Sequence, residues 1–71
     1  EINISVFPNP ASEKIQITSP YTIEELILYD IQGRELKRKS LSNTMEVYKA
    51  GVYFLKVVAD NKKLVKKIIV E

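Results

Sequence analysis

Acid–base chemistry requires two titratable groups at a fixed separation, and the densest acidic group in these 71 residues is Glu24-Glu25 with Asp30. Neighbouring carboxylates on a strand point to opposite faces, so Glu24 and Glu25 make no dyad there. The chain has no cysteine and no histidine, which removes thiolate and imidazole metal sites, cysteine nucleophiles and Ser-His-Asp triads together. Calcium wants several Asp or Asn oxygens within one loop, and Asp60-Asn61 alone falls short. The only glycines, Gly33 and Gly51, stand far apart and form no phosphate-cradling loop. The residues therefore predict no enzyme and no cofactor. A two-layer domain of this length is also expected to lack a cleft large enough for a small molecule.

Charge is the other chemical resource, and it is unevenly placed. Residues 1–33 hold one Lys and five acids (−4), while residues 34–71 hold ten Lys or Arg and four acids (+6), giving the net +2. Lys37-Arg38-Lys39 and Lys62-Lys63 with Lys66-Lys67 form two basic clusters. No aromatic residues interleave with them as stacking platforms, so the reading is solvated lysines guarding edge strands, with no nucleic-acid partner.

These side chains must be carried on strands. Apolar positions recur with period two in short runs rich in Ile, Val and Tyr, separated by Pro, Asn, Gly, Asp and Ser. Ile2, Ile4 and Val6 alternate with polar residues until Pro8-Asn9-Pro10 stops the run. Lys14 to Thr18 alternates in the same way. Ile23 to Ile31 places Ile23, Leu26, Ile27 and Ile31 at helical spacing too, but Pro20 and Gly33 bound it at strand length, so a strand buried on both faces is expected. Gln32-Gly33 predicts a tight turn into an edge strand over Arg34 to Leu41. Short strands follow at Thr44–Tyr48, Val52–Ala59 and Leu64–Val70, with turns at Lys49-Ala50-Gly51 and at residues 60–63. Tyr53, Leu55, Val57 and Ala59 share the inward face of their strand, and Lys56 points the other way.

Six to seven such strands predict an all-β fold, a small immunoglobulin-like antiparallel β-sandwich forming a single domain over residues 1–71. Ile, Leu and Val number 22, enough for one thin core. No run of about 18 apolar residues predicts a membrane span. The opening Glu1-Ile2-Asn3 lacks an initiator methionine, and the expectation is a piece of a longer precursor.

Four segments in this order are more specific than any alone: Val6-Phe7-Pro8-Asn9-Pro10-Ala11, Leu28-Tyr29-Asp30-Ile31-Gln32-Gly33-Arg34, Ala50-Gly51-Val52-Tyr53-Phe54-Leu55 and Lys66-Lys67-Ile68-Ile69-Val70. Together they resemble the C-terminal sorting domain of the type IX secretion system, carried by secreted proteins of the Bacteroidota, and the likeness covers essentially the whole chain. The resemblance implies a label rather than a catalyst. The cargo would cross the inner membrane by an ordinary signal peptide. The folded domain would then be recognised by the outer-membrane translocon and removed at the surface by a sortase-like cysteine protease that cuts just upstream. Partners would be that translocon, that protease and the upstream cargo domain, with the cargo secreted or held at the cell surface. Recognition residues are expected at the Pro8, Asn9, Pro10 corner, at Gly33, Gly51 and Tyr53, and along the final strand at Lys66, Lys67, Ile68, Ile69 and Val70. Each has a plainer role as a turn, a core aromatic or a last strand. The competing expectation is an immunoglobulin-like accessory module that binds carbohydrate or packs against a neighbouring catalytic domain.

Overall fold

A computed structural model of the chain describes residues 4–7 and 14–71. Among the described residues seven strands follow one another: β1 Ser5–Phe7, β2 Lys14–Thr18, β3 Ile23–Tyr29, β4 Glu35–Ser40, β5 Thr44–Glu46, β6 Gly51–Ala59 and β7 Lys62–Val70. All pairings are antiparallel. They form a three-stranded sheet in the order β1-β2-β5 and a four-stranded sheet in the order β4-β3-β6-β7. The immunoglobulin-like sandwich expected from the strand pattern is the fold observed. Its fourth strand lies beside β3, whereas in constant-type immunoglobulin domains the fourth strand joins the sheet of the first two.

The core forms where the inner faces meet. Ile15, Ile17 and Met45 from the smaller sheet pack with Leu26, Leu28, Leu55, Val57 and Ile68 from the larger, and Ile4, Ile23, Val47, Tyr53, Ala59 and Val70 complete the cluster. No β4 residue belongs to it. Tyr53, Leu55, Val57 and Ala59 face inward as the alternation requires.

The helix-like spacing in β3 has a specific cause. Ile23 pairs with Ala59 and Glu25 with Val58, so β3 carries one extra residue at Glu24. That bulge lets Ile23 and Leu26, three apart, both enter the core. Leu26, Ile27 and Leu28 are consecutively buried, but the outer face of the strand is covered at Ile27 alone, with Glu25 and Tyr29 on either side of it half-buried. The strand ends at Tyr29, however, and Ile31 is 69% exposed in the following turn, because Asp30 begins a hairpin loop there.

Other boundaries also tighten. The edge strand runs Glu35–Ser40 and β5 stops at Glu46. Residues 62 and 63 belong to β7, since Asp60 and Asn61 alone close the β6–β7 hairpin with φ of 51° and 60°. Two left-handed residues in a two-residue loop match the twist of the flanking strands, and Asp and Asn tolerate that conformation best after glycine. Gly51 opens β6 instead of sitting in a turn before it.

Candidate recognition surface

The expected recognition residues come from four separated stretches, and the topology gathers most of the described ones at one end of the four-stranded sheet. Gly51 pairs with Val70, Tyr53 with Ile68, and Tyr29, the last residue before the Asp30 turn, with Phe54. Pro8, Asn9 and Pro10 lie outside the described residues.

Asp30 organises the turn. Its carbonyl accepts from Gly33 N at 3.0 Å, and its Oδ1 accepts from the backbone N–H groups of Gln32 and Arg34, both at 2.9 Å. Arg34 Nε donates to Oδ2 at 2.8 Å. The N–H of Arg34, then those side-chain bonds, hold the Asp30 carboxyl below the usual carboxylate range. Gly33 completes the three-residue loop at φ 87°, a conformation that costs most residues about 1–2 kcal/mol.

Tyr53 is a core residue, 8% exposed, and its hydroxyl donates to the Lys49 carbonyl at 2.7 Å. A tyrosine at the start of the sixth strand bonding back to upstream backbone is the device that braces the same corner in immunoglobulin-like sandwiches. Gly51 lies against that ring: a Cβ there would sit 3.6 Å from two of its atoms.

The final strand divides by face. Ile68 and Val70 are 0% and 3% exposed and serve the core, whereas Lys66, Lys67 and Ile69 are exposed. Of the final-strand set, then, only those three side chains are presented to solvent.

The first basic cluster does not act as one patch. Lys37 and Lys39 pair across β3 with the core residues Leu28 and Leu26, so they turn toward the sandwich seam. There Lys37 Nζ donates to the Glu46 carbonyl at 2.6 Å and Lys39 Nζ lies 3.5 Å from Glu46 Oε1. Arg38 points to the opposite face and bonds both Glu25 and Glu35. Its bond to Glu35 lowers that carboxyl's pKa, and the same two acids raise that of the guanidinium. Lys62 sits 4.9 Å above the Tyr21 ring and 3.6 Å from Asp60.

A groove of about 390 Å³ does exist at the far end, larger than the sequence led us to expect. Its walls include Gln16, Thr18, Ser19, Thr22, Ser42 and Asn43, and among the described residues no carboxylate, amine or guanidinium lines it. Among the described residues no group of His, Cys, Asp and Glu is placed to hold a metal ion.

With the geometry in place, comparison with known proteins decides the family. A family model described as the secretion system C-terminal sorting domain matches residues 5–71. The chain belongs to the type IX sorting domains. No curated protein matches it. The sorting domain is a signal for type IX secretion, which ties it to that machinery, to a cargo precursor, and to a cargo that is secreted or held at the cell surface. Among the described residues of the sorting domain no helix is long and apolar enough to cross a membrane.

Sequence reasoning overlooked one feature of the sorting domain. The face of β6 opposite the core was read from Lys56 alone, yet Val52, Phe54 and Val58 share it. The signal was present, since Val52 to Val58 is apolar at every position except Lys56.

Proposed function

We propose that residues 1–71 act as one non-catalytic export label, recognised in the folded state by the outer-membrane translocon and cut from its cargo by a sortase-like cysteine protease acting upstream. The family match over residues 5–71 carries this reading. The burial pattern supports the label having to be folded, because the segments that mark the family supply core, turn and strand-pairing residues: Leu28, Tyr53, Leu55, Ile68 and Val70 are buried, and Gly33 closes a hairpin. Recognition would then fall to exposed groups near them, with Lys66, Lys67 and Ile69 on the final strand as first candidates; Pro8, Asn9 and Pro10, outside the described residues, stay in the set on the sequence resemblance alone.

The test fuses residues 1–71 to the C-terminus of a signal-peptide-bearing fluorescent reporter in a host with a working type IX system and in a translocon-deficient strain. Export in the working strain alone is the expected result. Retention in the periplasm of both, with the domain folded and native cargo still processed, would sink the reading. Replacing Lys66 and Lys67 by Ala, with thermal unfolding unchanged, should lower export; normal export would remove those lysines from the account.

A further inference from the structure

The two sheets present very different outer faces. Among the described side chains, those pointing outward on the smaller sheet are Ser5, Lys14, Gln16, Thr18, Thr44 and Glu46, as expected of an antiparallel sheet with one face in water. On β6 and β7 the outward positions are Val52, Phe54, Lys56 and Val58 facing Ile69, Lys67, Val65 and Lys63. Val52, Val65 and Ile69 are 37%, 57% and 42% exposed. A solvated face has no need of them.

Their arrangement is regular. Each of three successive cross-strand rows holds one lysine and one apolar residue, Phe54 with Lys67, Lys56 with Val65 and Val58 with Lys63, and the lysine changes strand from row to row. The fourth row, Val52 with Ile69, is apolar throughout. Neither strand places an acid on this face, and among the described residues no ion pair joins Lys56 or Lys63 to a carboxylate. The other half of the sheet contrasts with this. Arg38 on β4 is matched by Glu25 of β3 and Glu35 of its own strand, and Ile27 of β3, paired between Arg38 and Lys56, is 3% exposed beneath their stems.

We infer that the outer face of β6 and β7 is a docking surface for a protein partner whose own surface alternates carboxylates with apolar side chains; this rests on the sorting reading and names which face the machinery grips. Charge complementarity selects the partner's sign, and the checkerboard selects its kind. A lipid surface wants apolar residues gathered apart from the cations, whereas immersing this face would bury each lysine with its neighbours. A second copy stacked on the same face would bring lysines together with no carboxylate from either β6 or β7 to match them.

The test is the reporter fusion carrying Lys56→Glu with Lys63→Glu. A second fusion carries Lys14→Glu with Lys49→Glu, which lowers net charge equally and leaves this face intact. Export of the first should fall about tenfold or more at unchanged thermal stability, because like charges across an interface cost several kcal/mol, while the second is exported normally. Equal export of both folded variants overturns the inference and leaves the sorting reading standing; failure of the unsubstituted fusion overturns both. Should the double variant unfold, Lys63→Glu alone, at an exposed position, gives the same comparison, and export equal to the unsubstituted fusion would overturn the inference. Co-sedimentation of the unsubstituted domain with phosphatidylethanolamine–phosphatidylglycerol vesicles, abolished by Lys56→Glu with Lys63→Glu, would assign the face to lipid and overturn the protein partner. A dimer lost in the same variant would assign it to self-association.

Discussion

At Asp30 a single carboxylate accepts two backbone N–H groups and one guanidinium N–H, so the charge is used where it forms. Its pKa and that of Glu35 are both lowered on folding. A depressed carboxyl contributes its full stabilisation above the usual carboxylate value of about 4 and loses it as pH falls through the folded-state value. Acid should therefore destabilise the domain progressively below about pH 4. In Asp30→Asn the unfolding temperature should be lower at neutral pH and should decline less steeply in acid, read by circular dichroism melts from pH 7 to pH 2; parallel pH profiles would show that the charge is unimportant. The left-handed glycine of this turn was legible in the sequence, whereas its start at Asp30 was not, since the apolar run carries the expected strand on to Ile31. Leu41 was not, since a leucine at φ 52° and 77% exposure announces nothing beforehand. Nothing in the structure explains that choice.

At the scale of strands, period-two alternation located most elements and turn residues bounded the rest, but neither could count an extra residue. Glu24 is one such residue, and Leu36 is the other: Leu28 pairs with Lys37 and Tyr29 with Glu35, leaving Leu36 as the bulge of the edge strand. Bulges depend on what lies across the ladder, which a single strand's sequence does not contain. Alternation alone separates Arg38 from Lys37 and Lys39, but which of them turns to the seam is set by the register with β3, which the run of cations does not contain. A bulge and three basic side chains also blunt the β4 edge against pairing with other chains, as the charge pattern suggested. Central packing carries most of the stability. Leu55 is fully buried and paired between Leu28 and Lys66. Leu55→Ala should cost about 2–5 kcal/mol, and a domain this small commands only ~3–5 kcal/mol in all. Chemical denaturation should find Leu55→Ala largely unfolded at 25 °C, and a stable, cooperative variant would contradict the core assigned here.

For the molecule as a whole, the fold class and the family were both readable from the sequence, because each depends on motifs whose order survives in one dimension. Which strands share a sheet was not readable, and the contrast between the two outer faces depends on it. The candidate recognition set was legible in part: the family segments were found, but the burial of Ile68, Val70 and Tyr53 shows that a motif can mark a family by building its core. Deleting residues 66–71 would therefore remove two core residues along with any docking strand, and its loss of export would not separate folding from recognition. The register of β6 with β7 also bears on timing. Gly51, Val52 and Tyr53 find their partners in Val70, Ile69 and Ile68, and a chain delivered from its N-terminus presents those partners last. The sandwich cannot close until they arrive, so completion of this fold reports that the precursor has been made as far as Val70, and a prematurely terminated cargo would carry no finished label.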